Sequence, residues 1–117
     1  MNKRRIGSAR EEEAAAFLRG KGLCILDRNY RCRQGEIDLI ARDGDTLVFV
    51  EVKYRSSDRC GWGEVHVDKK KQATIFLVAR VYLNRFFREE VPPCRFDVVA
   101  IDGERILHYE NAFEKPF

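Results

Sequence analysis

Residues 46–55, TLVFVEVKYR, limit the folds open to this chain more than any other segment. Residues 47–50 are continuously apolar, the pattern of a central strand covered on both faces by other layers. The apolar run then meets Glu51 and Lys53. Side chains alternate across a strand, so these two share one face while Val52 lies on the other. A carboxylate and an ammonium at the end of a buried strand cost several kcal/mol each unless they are paired or put to use. A structural ion pair closing the strand is the ordinary alternative to a reactive site.

The remaining elements follow from periodicity and turn chemistry. Residues 8–21 read as a helix. Ser8 stands where a cap belongs, Glu11 completes a capping-box spacing, and Ala14, Ala15, Phe17 and Leu18 recur at helical intervals before Gly22. Residues 23–28 read as a short strand. Residues 35–42 and 46–55 form a hairpin about the Asp43-Gly44-Asp45 turn. Residues 56–64 read as a loop in which Gly61 and Gly63 flank Trp62. Asp68 caps a second helix running to about residue 88, with Ile75, Val78, Ala79, Tyr82, Leu83 and Phe86 as its apolar stripe. Beyond Pro92 and Pro93, residues 95–101 and 105–110 read as strands around Asp102-Gly103. The order is α-β-β-β-α-β-β. The second helix then serves as a right-handed crossover between parallel neighbours. The expected class is α/β, a mixed sheet flanked by helices.

At 117 residues the chain suits one domain, 1–117, with one core. It is 44% hydrophobic and 35% charged, too apolar for disorder and too charged for a membrane protein. The charged start has no apolar stretch behind it, so no secretory signal is expected. A cytoplasmic, reducing setting with unpaired thiols follows. Cys24, Cys32, Cys60 and Cys94 form no CxxC pair, and only His66 and His108 add imidazole, which argues against zinc. The net charge of +3 says little about partners, but clustering says more. Lys3, Arg4, Arg5 and Arg10 crowd the start, Arg28, Arg31 and Arg33 follow, and Lys69, Lys70 and Lys71 form a triplet. These are either a solvated surface or a face for an anionic partner.

A second acid sits among apolar residues, Asp38 within 35–41, GEIDLIA. If the hairpin pairs residues 44 and 45, Asp38 lies opposite about Glu51. Directly paired residues have Cβ atoms ~4.5 to 5.5 Å apart. Two like charges that close are unfavourable, and a divalent cation between them removes the penalty. Hard oxygen ligands of this kind suit Mg²⁺ or Mn²⁺. Glu11 falls on the Ala14, Ala15, Leu18 face of the first helix. Lys71 alone of its triplet falls on the Ile75 face of the second. Their ordinary roles are a capping-box acid and an aliphatic stem over the core edge.

Glu11, then 35–40 (GEIDLI), then 49–53 (FVEVK), resemble the PD-(D/E)xK nuclease superfamily. The chain more closely resembles the YraN-like family of small bacterial proteins, over nearly its whole length. Gly7, Glu11, Ala14, Leu18 and Gly22 match that family's first helix. Asn29, Tyr30, Arg31, Lys71, the run 95–99 (RFDVV) and the terminal Asn111, Ala112 and Phe113 match as well. The resemblance implies a restriction-endonuclease-like fold in which Asp38 and Glu51 hold Mg²⁺ or Mn²⁺. Glu11 is the implied third acid, like that of archaeal Holliday-junction resolvases, and Lys53 the catalytic cation. Ile37 replaces the motif's proline, a common variation. The second helix reads as lacking the glutamine of some related nucleases, with Lys71 near where it would act.

The implied activity is phosphodiester hydrolysis in DNA, with branched or junction DNA and a homodimer suggested by the resolvase likeness. Leu77 and Val81, outside the main stripe of the second helix, either feed such an interface or pack under a loop. Arg31, Arg33, Arg55, Trp62 and Lys71 are the expected nucleic-acid contacts, Trp62 by stacking on a base from a closing loop. The rival reading is a nucleic-acid-binding or adaptor protein that keeps the fold without useful catalysis.

Overall fold

The computed structural model describes residues 3–55 and 67–114, with side chains at 9–54 and 67–114. Its elements are α1 (Lys3–Gly20), β1 (Cys24–Cys32), β2 (Gly35–Asp43), β3 (Thr46–Arg55), α2 (Lys69–Phe86), β4 (Cys94–Asp102) and β5 (Arg105–Phe113). The five strands form one sheet in the order β1-β2-β3-β4-β5. All neighbours are antiparallel except β3 and β4, which α2 connects as a parallel pair. The expected α/β class, mixed sheet and element order are therefore those observed. Among the described residues no helix is long and apolar enough to cross a membrane.

Period-two alternation in the central strands splits the core into two layers. Leu39, Ala41, Val48, Val50, Val99 and Ile101 pack beneath Ala14, Ala15 and Leu18 of α1. Ile40, Leu47, Phe49, Phe96 and Val98 face Ile75, Val78, Ala79 and Tyr82 of α2. Residues 47–50 are thus buried from both sides, as their unbroken apolar run requires. Asp68 caps α2 as expected, its Oδ1 accepting from the Lys71 N–H at 2.8 Å.

Several boundaries differ from the sequence reading. α1 spans Lys3–Gly20, so Ser8 lies inside the helix and not at its N-cap position. The capping-box role for Glu11 goes with it. β1 extends to Cys32 through Asn29, which takes φ 51°, and β5 extends to Phe113 through Asn111 at φ 52°. Asparagine tolerates this left-handed conformation better than most residues, so a strand can kink there without ending. Phe86, assigned to the buried stripe, is 50% exposed. The loop 56–64, with Trp62, lies outside the described residues, as does the side chain of Arg55.

Candidate active site

The site forms where the sheet comes apart. The β2–β3 ladder runs from Asp43↔Thr46 to Leu39↔Val50 and stops one step short of Asp38 and Glu51. The β1–β2 ladder skips the same level, passing from Arg28↔Leu39 to Tyr30↔Ile37 over Asn29 and Asp38. Alternation breaks there too, because Leu39 packs under α1 whereas Ile37 packs under α2. The gap has a chemical cause. Asp38 Oδ2 accepts the Val52 backbone N–H at 2.8 Å, taking the place of a β2 backbone carbonyl. An N–H of β3 points along the sheet toward β2, so the Asp38 carboxyl lies between the strands.

Three acids close on this point. The Asp38 carboxyl is in hydrogen-bonding contact with that of Glu51. Carboxylate oxygens of Glu11, Glu36 and Asp38 lie within 4.8 Å of one another. Burial, then the charge of Glu51, raises the Asp38 carboxyl to about 7, against the lowering effect of the Val52 N–H. Glu11 is raised as well, first by burial and then by Asp38 and Glu36, while a hydrogen bond from Asn29 and the charge of Arg31 oppose this. Cations stand at the margin. Lys71 Nζ is 3.9 Å from Glu51 Oε2, across from α2. Arg31 Nε bonds Glu36 at 3.2 Å. Lys53, half-buried, follows Glu51 on the same face of β3 by strand alternation.

Asp38, Glu51 and Glu11 thus come together, and Lys71 reaches Glu51 instead of lying along the core edge. Arg33 is exposed and makes no ion pair among the described residues. Glu36 and Asn29 were missed as site residues. Glu36 shares a face with Asp38 by simple alternation, so that signal was present. Asn29 depends on a backbone kink that spacing does not reveal. The second helix does carry a glutamine: Gln72, in its first turn, donates to the Val67 carbonyl at 2.7 Å.

A buried acid elsewhere in the sheet was also missed. Asp97 is wholly buried on the α1 side of β4. It accepts from Arg95, from His108 Nε2 at 2.7 Å and from the Asn111 N–H at 2.9 Å. Burial alone would raise it, but these donors outweigh burial and hold its carboxyl below the ordinary range. Its embedding between Phe96 and Val98 is the same signal that singled out Asp38. A cleft of about 520 Å³ between α2, the start of β4 and the end of β5 is lined by Phe49, Phe76, Leu83, Phe96 and Arg80, and touches none of the clustered acids.

Comparison with known proteins places residues 10–101 within the model of the uncharacterised protein family UPF0102. A UPF0102 protein of Nitrosomonas europaea is 49% identical over 112 residues, covering 93% of both chains. One from Lachnoclostridium phytofermentans is 47% identical over 114 residues, covering 97% of both. One from Janthinobacterium sp. is 42% identical over 112 residues, 96% of this chain and 89% of its own.

Proposed function

The chain belongs to the uncharacterised protein family UPF0102, and from that membership and the site geometry we propose that it is a metal-dependent endonuclease on the PD-(D/E)xK plan. Its substrate is DNA, branched or junction DNA included, and its reaction is phosphodiester hydrolysis. The observation that carries this reading is the contact of Asp38 with Glu51 in the gap between β2 and β3, with Glu11 against it.

The donor set suits a divalent cation. Hard carboxylate oxygens converge from α1, β2 and β3, and like charge there is offset only from the margin, by Lys71 on Glu51 and Arg31 on Glu36. Asp38, Glu51 and Glu11 would hold the ion, with Glu36 beside them. Bound Mg²⁺ or Mn²⁺ supplies positive charge against the phosphate oxygens and lowers the pKa of a water. The chain's own groups set the stage. The Val52 N–H fixes one oxygen of Asp38 and leaves the other unclaimed by backbone. Lys53 presents a fixed ammonium to charge developing on the scissile phosphate. Lys71 restrains Glu51 from α2.

The test is a paired measurement on Asp38→Asn, which removes one charge and keeps the shape. Metal-dependent cleavage of linear, flapped and four-way DNA should fall by orders of magnitude, because an amide is a poor ligand for a hard cation. Metal-free DNA affinity, read by anisotropy, should hold or rise, because a like charge has gone. Undiminished cleavage assigns the activity elsewhere. A wild type that binds DNA and never cleaves it is the adaptor reading.

A further inference from the structure

Among the described residues, the basic side chains of α1 and β1 differ from those of α2. On α1 and β1 four arginines are engaged with acids, Arg33 just beyond β1 being exposed and unpaired. Arg10 pairs with Glu13, Arg19 and Arg28 with Glu12, and Arg31 with Glu36. α2 is different. It carries Lys69, Lys70, Lys71, Arg80 and Arg85 and no aspartate or glutamate at all. Only Lys71 of these has an ion-pair partner among the described residues, and that partner is Glu51 of the candidate site.

The cations are placed on a line. At 100° per residue, Lys69, Lys70, Ala73, Leu77, Arg80 and Asn84 fall on the side of α2 opposite Ile75, Val78, Ala79 and Tyr82, and all six are exposed. Lys69 and Arg80 stand about 16 Å apart at 1.5 Å per residue. Ala73 between them admits close approach. Glu114 shares the cleft with Arg80, but its carboxylate accepts from Asn111. We infer that the outer face of α2 is the DNA-docking surface of this protein, a straight track of phosphate contacts running away from the acid site.

The track fits duplex rather than single-stranded DNA. Single-strand binders interleave cations with aromatic platforms for bases. This face has none, since Tyr82 is buried beneath α2 and Phe86 packs against Tyr30 and Tyr82 on the opposite side. Cations on a rigid rod read the sugar-phosphate backbone without reading bases. Lys71, at the same end of α2 but on its Ile75 side, reaches the acid site.

This inference rests on the nuclease reading for its partner but is tested without catalysis. The variant Lys69→Ala/Lys70→Ala/Arg80→Ala is compared with Arg19→Ala/Arg28→Ala and wild type, by anisotropy on a fluorescent duplex in EDTA across a salt series. Exposed sites should leave the fold intact, which circular dichroism checks. The α2 variant should bind at least about tenfold more weakly at 0.1 M salt, with the log–log salt slope shallower by about 2 to 3, near 0.9 per lost phosphate contact. The arginine pair should match wild type. If wild type binds and the α2 variant binds equally, or only the arginine pair weakens, the surface is wrong and the nuclease reading stands. If wild type does not bind duplex DNA at low salt, both fall. Preference for anionic vesicles over DNA, or loss of self-association in place of loss of DNA affinity, also overturns the inference.

Discussion

Two acids on one sheet, Asp97 buried and Asp38 half-buried, show how neighbours decide what a carboxyl does. Asp97 has a guanidinium, an imidazole and a backbone N–H directed at it, and is held ionised. Asp38 has one N–H and faces Glu51, so it is held toward the neutral form, at about 7 against an ordinary 3.8. Linkage fixes the sign. Between pH 4 and 7 the folded state binds more protons at Asp38 than the unfolded chain, so this group lowers stability as pH rises through that window. Below the window the penalty is absent, and above it the penalty is complete. Asp38→Asn removes the charge while its amide oxygen still accepts from Val52. The variant should therefore melt several degrees above wild type at pH 8 in EDTA and show no such gain at pH 4, as thermal scans at the two pH values will report. Lost cleavage in this variant would then be chemical in origin, not a consequence of unfolding.

At the scale of elements, the strands were the most legible. The run 47–50, the Asp43-Gly44-Asp45 turn and the alternation of Glu51 with Lys53 gave β3, its register and the approach of Asp38 to Glu51 before any coordinates. The start of α1 was misplaced because Ser8 carries a capping signal, and capping signals also occur inside helices when packing favours continuation. The kink at Asn29 was invisible because a positive φ in a strand is imposed by contacts across elements. The network about Asp97 was unread because its members lie far apart in the chain: Asp43 in β2, Arg95 and Asp97 in β4, His108 and Asn111 in β5. Lys21 completes it beyond the end of α1, its Nζ 2.8 Å from His108 Nδ1. That network fastens β5 and the end of α1 to the central sheet. Asp97→Ala leaves Arg95 only its outer partners Asp43 and Glu110 and leaves a buried imidazole without its acceptor, so it should cost about 3 to 5 kcal/mol. Urea titration should show the midpoint lowered by that free energy divided by m, whereas Asp97 replaced at no cost would make the network incidental.

At the scale of the molecule, the acid cluster joins elements that are otherwise held by separate layers. Glu11 rides on α1, Glu36 and Asp38 on β2, and Glu51 on β3, with Lys71 from α2 at the edge. β2 has no ladder partner at Asp38 on either side, and β3 is unpaired with β2 at Glu51 while it stays paired with β4 there. A cation bound there would tie α1 to the two strands and relieve the repulsion between Asp38 and Glu51. Its effect should appear in global unfolding and not only in local order. Binding to the folded state alone raises stability by about 2.7 kcal/mol at one hundred times the dissociation constant. Mn²⁺ should therefore raise the melting temperature of wild type at pH 8, reversibly with EDTA. The ion must displace a proton from Asp38 whenever pH lies below about 7, so the shift should shrink steadily toward pH 5. Asp38→Asn should abolish it at every pH, while Asp97→Ala, which removes none of the donors, should lower the baseline and keep the increment. A Mn²⁺ increment that is independent of pH, or that survives in Asp38→Asn, would place the ion on other ligands.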